Sequence, residues 1–188
     1  VVGVVRTAVA SAVGTVTGSR FLVRSGGSSV LVDCGLFQGL KTLRLRNWEP
    51  LGVALDSIDA VVVTHAHIDH IGYLPRLVRS GFRGPIYATE ATIDLAEIML
   101  ADAAHLQEED AEYANRKGFS KHTPALPLFD TEDARATQKL FRALPLHQKV
   151  ELGPELSVRL RNAGHILGSA TVELAIGGKR PHTAVFSG

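Results

Sequence analysis

Apolar residues along this chain alternate between short β-like runs and stretches of helical spacing. Phe21-Leu22-Val23-Arg24 and Val30-Leu31-Val32-Asp33 flank Ser25-Gly26-Gly27-Ser28-Ser29. Two β-rich runs around a Gly-Gly pair predict a hairpin. Residues 1–33 as a whole read as β-structure, dense in Val and Thr and punctuated by Gly14, Gly18, Gly26 and Gly27. Val61-Val62-Val63 predicts a buried strand. Ile71 to Gly81 predicts a helix, with Gly81 as its stop and Pro75 tolerable only near its first turn. Pro85-Ile86-Tyr87-Ala88 then supplies a strand and completes a βαβ unit. Leu95, Met99, Ala103 and Leu106 recur at intervals of three or four, which predicts a helix over 91–117. Thr89 is its expected N-cap, with Glu90 in the first turn. Residues 118–130, with Pro124 and Pro127, read as an exposed excursion.

A further helix is expected from Thr131-Glu132-Asp133, with Thr131 as N-cap and the acids in its first turn, Leu140, Phe141 and Leu144 as its apolar face and Pro145 as its end. Ser157 to Arg161 and Thr171 to Ile176 alternate as strands, and Gly177-Gly178 turns into a last strand, Thr183 to Phe186. Residues 40–58 form a loop or short helix. There Lys41, Arg44 and Arg46 accompany Trp48, a combination that suits a nucleic-acid backbone and base. It suits equally a solvated face with one packed Trp.

This order of elements implies one α/β domain, which 188 residues, 45% of them hydrophobic, suffice to fold. The net charge of +1 gives no electrostatic case for a polyanionic partner, so function must be read from a site. The one cysteine, Cys34, excludes an internal disulfide and fits a reducing compartment. It reads as a small buried hydrophobe rather than a nucleophile. No run reaches the roughly 18 apolar residues of a membrane helix, and Val1 to Ala10 lacks a signal-peptide layout. A cytoplasmic protein without membrane attachment is expected.

Candidate chemistry begins where the 61–63 strand ends, at Thr64-His65-Ala66-His67-Ile68-Asp69-His70. Ligands commonly bind outside the carboxyl ends of strands in α/β sheets. Imidazole nitrogens and carboxylate oxygens are common ligands for divalent metals. Buried polar groups need partners, so this many in one place point to a metal. His65 and His67, two apart, point to one side of an extended segment. Asp69 and His70 lie where the chain turns into a helix and face a slightly different point, which suits two neighbouring metals. Asn162-Ala163-Gly164-His165-Ile166-Leu167-Gly168-Ser169-Ala170 is the second focus, a histidine on a Gly-flanked loop after a strand. Asp33, at a strand end, is placed to orient a ligand His or a loop amide by hydrogen bonding. His105, His122, His147 and His182 have no neighbours in sequence that complete a site.

His65-Ala66-His67-Ile68-Asp69-His70 resembles the HxHxDH signature of the metallo-β-lactamase fold. Thr17-Gly18-Ser19, Asp33-Cys34-Gly35-Leu36-Phe37-Gln38-Gly39 and Ala163 to Ala170 resemble the TGS, DCGxFQG and AGHxxGSA segments of the β-CASP nucleases, the CPSF-73-like group. The resemblance implies an αββα sandwich, with residues 1–188 the N-terminal part of the metallo-β-lactamase domain. It implies His65, His67 and His165 on a first metal, Asp69 and His70 on a second, and Asp33 orienting the site. Zinc is the expected metal, while Mn or Fe can use the same ligands. Two ions belong to the complete enzyme and one or none to this chain. The bridging aspartate of the family would follow Ser187-Gly188, so the chain is expected to be a fragment without its second domain. The implied activity is hydrolysis of single-stranded RNA, with Asp69 also able to take a proton from water. A homodimer stays open. So do three other functions: another hydrolase of this fold acting on a thioester, lactam or lactone, a DNA nuclease of the same group, and a non-catalytic scaffold subunit.

Overall fold

The computed structural model describes residues 6–9 and 15–188. The β-structure expected for residues 1–5 and 10–14, with Gly14, lies outside the described residues. Strands β1 (Arg6–Val9), β2 (Phe21–Ser25) and β3 (Ser28–Val32) pair antiparallel in sequence order. Gly26 and Gly27 connect β2 to β3 with φ of 57° and 84°. Positive φ at both turn positions is what a two-residue hairpin loop matched to sheet twist requires, and glycine adopts it without steric cost. Three further strands, β4 (Ala60–Val62), β5 (Ile86–Ala88) and β6 (Phe141–Ala143), continue the sheet in parallel. A second, antiparallel sheet has the order β10-β9-β8-β7, from β7 (Lys149–Gly153), β8 (Leu156–Asn162), β9 (Ala170–Ile176) and β10 (His182–Phe186).

Period-two alternation sorts β3 and β4 between two cores. Val30, Val32 and Val62 face the second sheet, where Val158, Leu160, Val172 and Leu174 meet them. Leu31, Val61 and Val63 face the other way, into a core shared with helices. Helices α1 (Lys41–Leu45), α2 (Ile68–Ile71), α3 (Leu74–Arg79), α4 (Glu90–Lys117) and α5 (Thr131–Gln138) complete the chain. Residues of α2 to α5 fill the first core, and no helix contributes to the second among the described residues. The expected α/β sandwich is thus present as two stacked sheets with helices on the outer face of the first. Among the described residues, no helix is long and apolar enough to cross a membrane.

Four expectations need correction. The helix expected from Ile71 to Gly81 is two short helices, α2 and α3, broken at Gly72-Tyr73. Pro75 sits in the first turn of α3, where its missing N–H costs nothing, and it cannot continue a helix begun upstream. Within α4 the buried stripe is Thr92, Ala96, Leu100 and Ala104, displaced from the expected Leu95, Met99, Ala103 and Leu106. Small residues permit close approach to the sheet, and Met99 and Leu106 are left exposed. Asp130 rather than Thr131 caps α5, in a reciprocal box with Asp133. Residues 141–143 form β6 instead of extending that helix. The apolar spacing of Leu140, Phe141 and Leu144 fits either state, and the open edge of β5 supplies the backbone partners that decide it. The 118–130 excursion is exposed except at its end, where Leu128 and Phe129 enter the first core.

Candidate metal centre

The residues singled out at the ends of β3, β4 and β8 meet at one edge of the sandwich. β4 and β3 run parallel, so Asp33 and Thr64 emerge side by side at their carboxyl ends. Asp33 adopts φ of 57° there, a left-handed conformation that Asp tolerates better than most residues. The loop between β8 and β9 carries His165 back to them. Ala170 N–H donates to the Thr64 carbonyl at 2.8 Å, tying that loop to the His65 segment.

His65 Nε2 and His67 Nδ1 are 3.0 Å apart, and His165 Nε2 and His67 Nδ1 are 3.3 Å apart. One nitrogen from each of the three rings lies within 4.8 Å of the others. Two nitrogens each bonded at 2.0–2.1 Å to a tetrahedral ion would be about 3.3 Å apart. The triad therefore fits a zinc-sized cation on its donor chemistry and its spacing. Beside the triad, His70 Nε2 lies 3.8 Å from Asp69 Oδ2.

Hydrogen bonds engage the Nδ1 atoms of His65 and His70. Asp33 Oδ2 accepts from His70 Nδ1 at 2.7 Å, and Asp33 Oδ1 accepts from the Thr64 backbone N–H at 2.8 Å. The Thr64 hydroxyl reaches both carboxylate oxygens, at 3.0 and 2.9 Å, and lies 3.0 Å from His65 Nδ1. A hydroxyl has one proton. An ionised carboxylate only accepts, so Thr64 donates to Asp33 and can only accept from His65. His65 thus carries its proton on Nδ1, which leaves the Nε2 lone pair free toward the triad. By the same count His70 is protonated on Nδ1 and free on Nε2. One carboxylate sets both rings, His70 directly and His65 through Thr64. Asp33 was expected to orient the site; Thr64 was not anticipated. A hydroxyl residue beside the first histidine was the available signal.

The two rings are displaced in opposite directions. Burial, reinforced by the imidazoles of His70, His67 and His165, pushes His65 down to about 3. His70 goes up: burial opposes its charge, but the hydrogen bond and charge of Asp33, with Asp69 nearby, outweigh it. Neutral imidazole is the ligating form, so His65 is available at neutral pH.

Backbone contacts hold the two motif loops against each other. Cys34 N–H donates to His70 O at 2.7 Å, Leu36 N–H to Ile68 O at 3.0 Å, and Ser19 N–H to Asp69 O at 2.9 Å. A Cβ on Gly35 would lie 1.6 Å from the Asp69 carbonyl oxygen, so only glycine fits. A Cβ on Gly18 would lie 2.6 Å from the Phe37 ring. Arg20, also unanticipated, is 2% exposed and donates through Nε and Nη2 to the Gly35 carbonyl at 2.9 and 2.7 Å. Its guanidinium lies 3.8 Å from the centre of the Tyr73 ring, which offsets the burial of its charge. On the opposite side, the Ser169 hydroxyl accepts from His165 N–H at 3.0 Å. Gly168 O accepts from the Thr89 and Thr92 hydroxyls at 2.6 and 2.9 Å, docking the loop on the start of α4.

Cys34 is fully buried and burial pushes its thiol up to about 12, so it is no nucleophile. His105 pairs with Glu109 on the exposed side of α4, and His122, His147 and His182 are exposed as well.

Residues 13–147 match the family described as the Metallo-beta-lactamase superfamily, and the chain belongs to it. The fold agrees with solved structures. A B3 metallo-β-lactamase with an active-site glutamic acid superposes with a TM-score of 0.55 at 22% identity, covering 92% of this chain and 57% of that one. Ribonuclease TTHA0252 of Thermus thermophilus is 42% identical over 173 residues, 92% of this chain and 35% of that protein. Transcription termination factor FttA of Cenarchaeum symbiosum is 36% identical, over 93% of this chain and 25% of its own length. Integrator complex subunit 11 of Danio rerio is 29% identical, over 90% and 27%. These relatives bear out the resemblance to the CPSF-73-like, β-CASP group. The chain spans about a quarter to a third of their length.

Proposed function

We propose that this chain forms the metal-binding core of a nuclease that hydrolyses phosphodiester bonds of single-stranded RNA. His65, His67 and His165 would hold one divalent cation, zinc in the first instance, and Asp69 and His70 would contribute to a second. The observation that carries this is the triad: three imidazole nitrogens meet at ligand spacing, each motif loop is braced, and the His65 tautomer is set by Asp33 through Thr64. A relative named a ribonuclease, at 42% identity, supports RNA as the substrate.

A bound divalent cation would supply Lewis acidity toward phosphate oxygens and make hydroxide accessible near neutral pH. The residues of this chain orient and move protons. Water oxygen would add to phosphorus as the bond to the leaving nucleoside oxygen breaks; Asp69 would take the water's proton, and solvent would protonate the departing oxygen. Gly188 ends beside Thr64 and His65, with a Cβ position 3.0 Å from Thr64. In a chain of the relatives' length we propose that the residues after it add a bridging carboxylate and the covering domain.

Matched single-stranded RNA and DNA, incubated with a protein of the relatives' length and zinc, test this. The expected result is RNA cleavage that chelator abolishes and that His65→Ala brings to background. Undiminished cleavage by His65→Ala would sink the catalytic assignment. Cleavage of DNA alone would replace RNA as the substrate.

A further inference from the structure

The 40–55 segment takes no part in the metal site. Its backbone stays right-handed from Lys41 through a 3₁₀ turn at Arg46–Trp48, with Leu45 and Arg46 both in the αR region. Lys41, Arg44, Leu45 and Trp48, at spacings of three and four, therefore share one face. All four are exposed. Trp48 is 53% exposed and Leu45 54%. The opposite side is the structural one: Asn47 is buried, accepting from Phe37 N–H and donating to Phe37 O at 2.9 Å each. Arg46 stacks on Phe37. Among the described residues, neither Lys41 nor Arg44 is paired with a carboxylate.

Beside this face lies a cleft of about 220 Å³ whose lining includes Trp48, Glu49, Pro50, Leu51, Tyr73 and Arg76. It is smaller than the roughly 300–1,000 Å³ of pockets for drug-sized ligands. One planar ring system fits that scale. Tyr73, which lines the cleft, stands three residues after His70 in the chain.

We infer that this face is a binding site for single-stranded RNA, resting on the nuclease assignment above. One base stacks on Trp48 at the cleft, and Lys41 and Arg44 receive flanking phosphates. A ring face beside unpaired cations is the chemistry that holds single strands without reading their sequence. A protein partner would favour the exposed Leu45 and Trp48 but gives no role to two unpaired cations on the same face.

Trp48 is the one tryptophan of the chain, so its fluorescence reports on this site alone. The 188-residue chain carrying His65→Ala, for which no cleavage is expected, is titrated with a short oligouridylate. Saturable quenching is expected. Lys41→Glu with Arg44→Glu should weaken binding at least tenfold and lower the salt slope by about 0.7 for each phosphate contact removed. Trp48→Ala, checked for fold by circular dichroism, should weaken binding followed by anisotropy of a labelled oligonucleotide. Binding without quenching, or quenching that survives the double charge reversal, would overturn the inference. Concentration-dependent self-association lost on Trp48→Ala would overturn it too, assigning the face to a protein interface. Quenching in a protein whose longer form cleaves no RNA would uphold this site while removing the nuclease assignment.

Discussion

Thr64 and His65 show how much of the site rests on single protons. Thr64→Val removes the acceptor that holds His65 Nδ1 while keeping the shape of the side chain. Loss of a partner that orients a ligand costs roughly 10–100-fold in metal affinity. Thr64→Val should fall in that range when zinc is titrated against a chromophoric chelator, and Thr64→Ser should recover most of it. Equal loss in both variants would mean that the methyl group, not the hydroxyl, matters. His65 also gives the metal-free chain a pH dependence. Its folded-state pKa lies near 3 against an ordinary 6.5, so below pH 6.5 the unfolded chain gains a proton the native ring resists. Stability is therefore lost as pH falls from about 6.5 toward 3. His70, shifted up, already holds its proton throughout that window and adds no slope there. Urea midpoints of the apo chain should fall across this window more steeply than those of His65→Gln. Parallel curves would show that His65 is not shielded.

At the scale of elements, the close approach of the 33–36 loop to the 67–70 loop is the joint on which the site depends. Gly35→Ala forces a Cβ into the Asp69 carbonyl, and backbone on both sides leaves nowhere for it to go. We expect either failure to fold or destabilisation of about 3 kcal/mol or more, the range of overpacked and strained positions, with loss of zinc binding. Chemical denaturation with parallel metal analysis checks it; a near-native Gly35→Ala that binds zinc normally would show that the loops can separate. The same joint explains two glycine motifs legible in the sequence: Gly35 makes room for Asp69 and Gly18 for Phe37. Element types were legible wherever a period was unambiguous, as in the Gly26-Gly27 hairpin and α4. They were not where three apolar residues fitted two states, as at Phe141 to Leu144; and in α4, with apolar residues on two sides at Ala96 and Met99, the element was legible but its buried face was not.

For the whole molecule, metal binding and folding are linked. Ligands from β4's end and the β8–β9 loop come together only in the native state, so an ion that binds there stabilises it. At a free zinc concentration 100 times the dissociation constant the gain is about 2.7 kcal/mol. For a chain of this size that is a rise in melting temperature of roughly 5–10 °C. Differential scanning calorimetry should show that rise on adding zinc to the apo chain, and its reversal by chelator. His165 is exposed, so His165→Ala should leave the apo melting temperature unchanged and abolish the rise. A rise that persists in His165→Ala would place the ion elsewhere.

The sequence by itself determined the residue types and their local spacing. It put His65 and His67 two apart after an apolar strand, Asp69 and His70 at the following turn, and His165 between glycines on another loop. Strand period and glycine chemistry are local properties, carried by neighbours along the chain. Convergence is not local. Parallel pairing of β3 with β4 brings Asp33 within 3.0 Å of the Thr64 hydroxyl, and stacking of the second sheet brings His165 to His67 across 98 positions of sequence. Only the tertiary structure decided that Thr64 transmits Asp33 to His65, that Arg20 holds Gly35, and which face of α4 is buried. These depend on which surfaces meet when two sheets and a helical layer exclude water together, and that is settled by the whole chain at once.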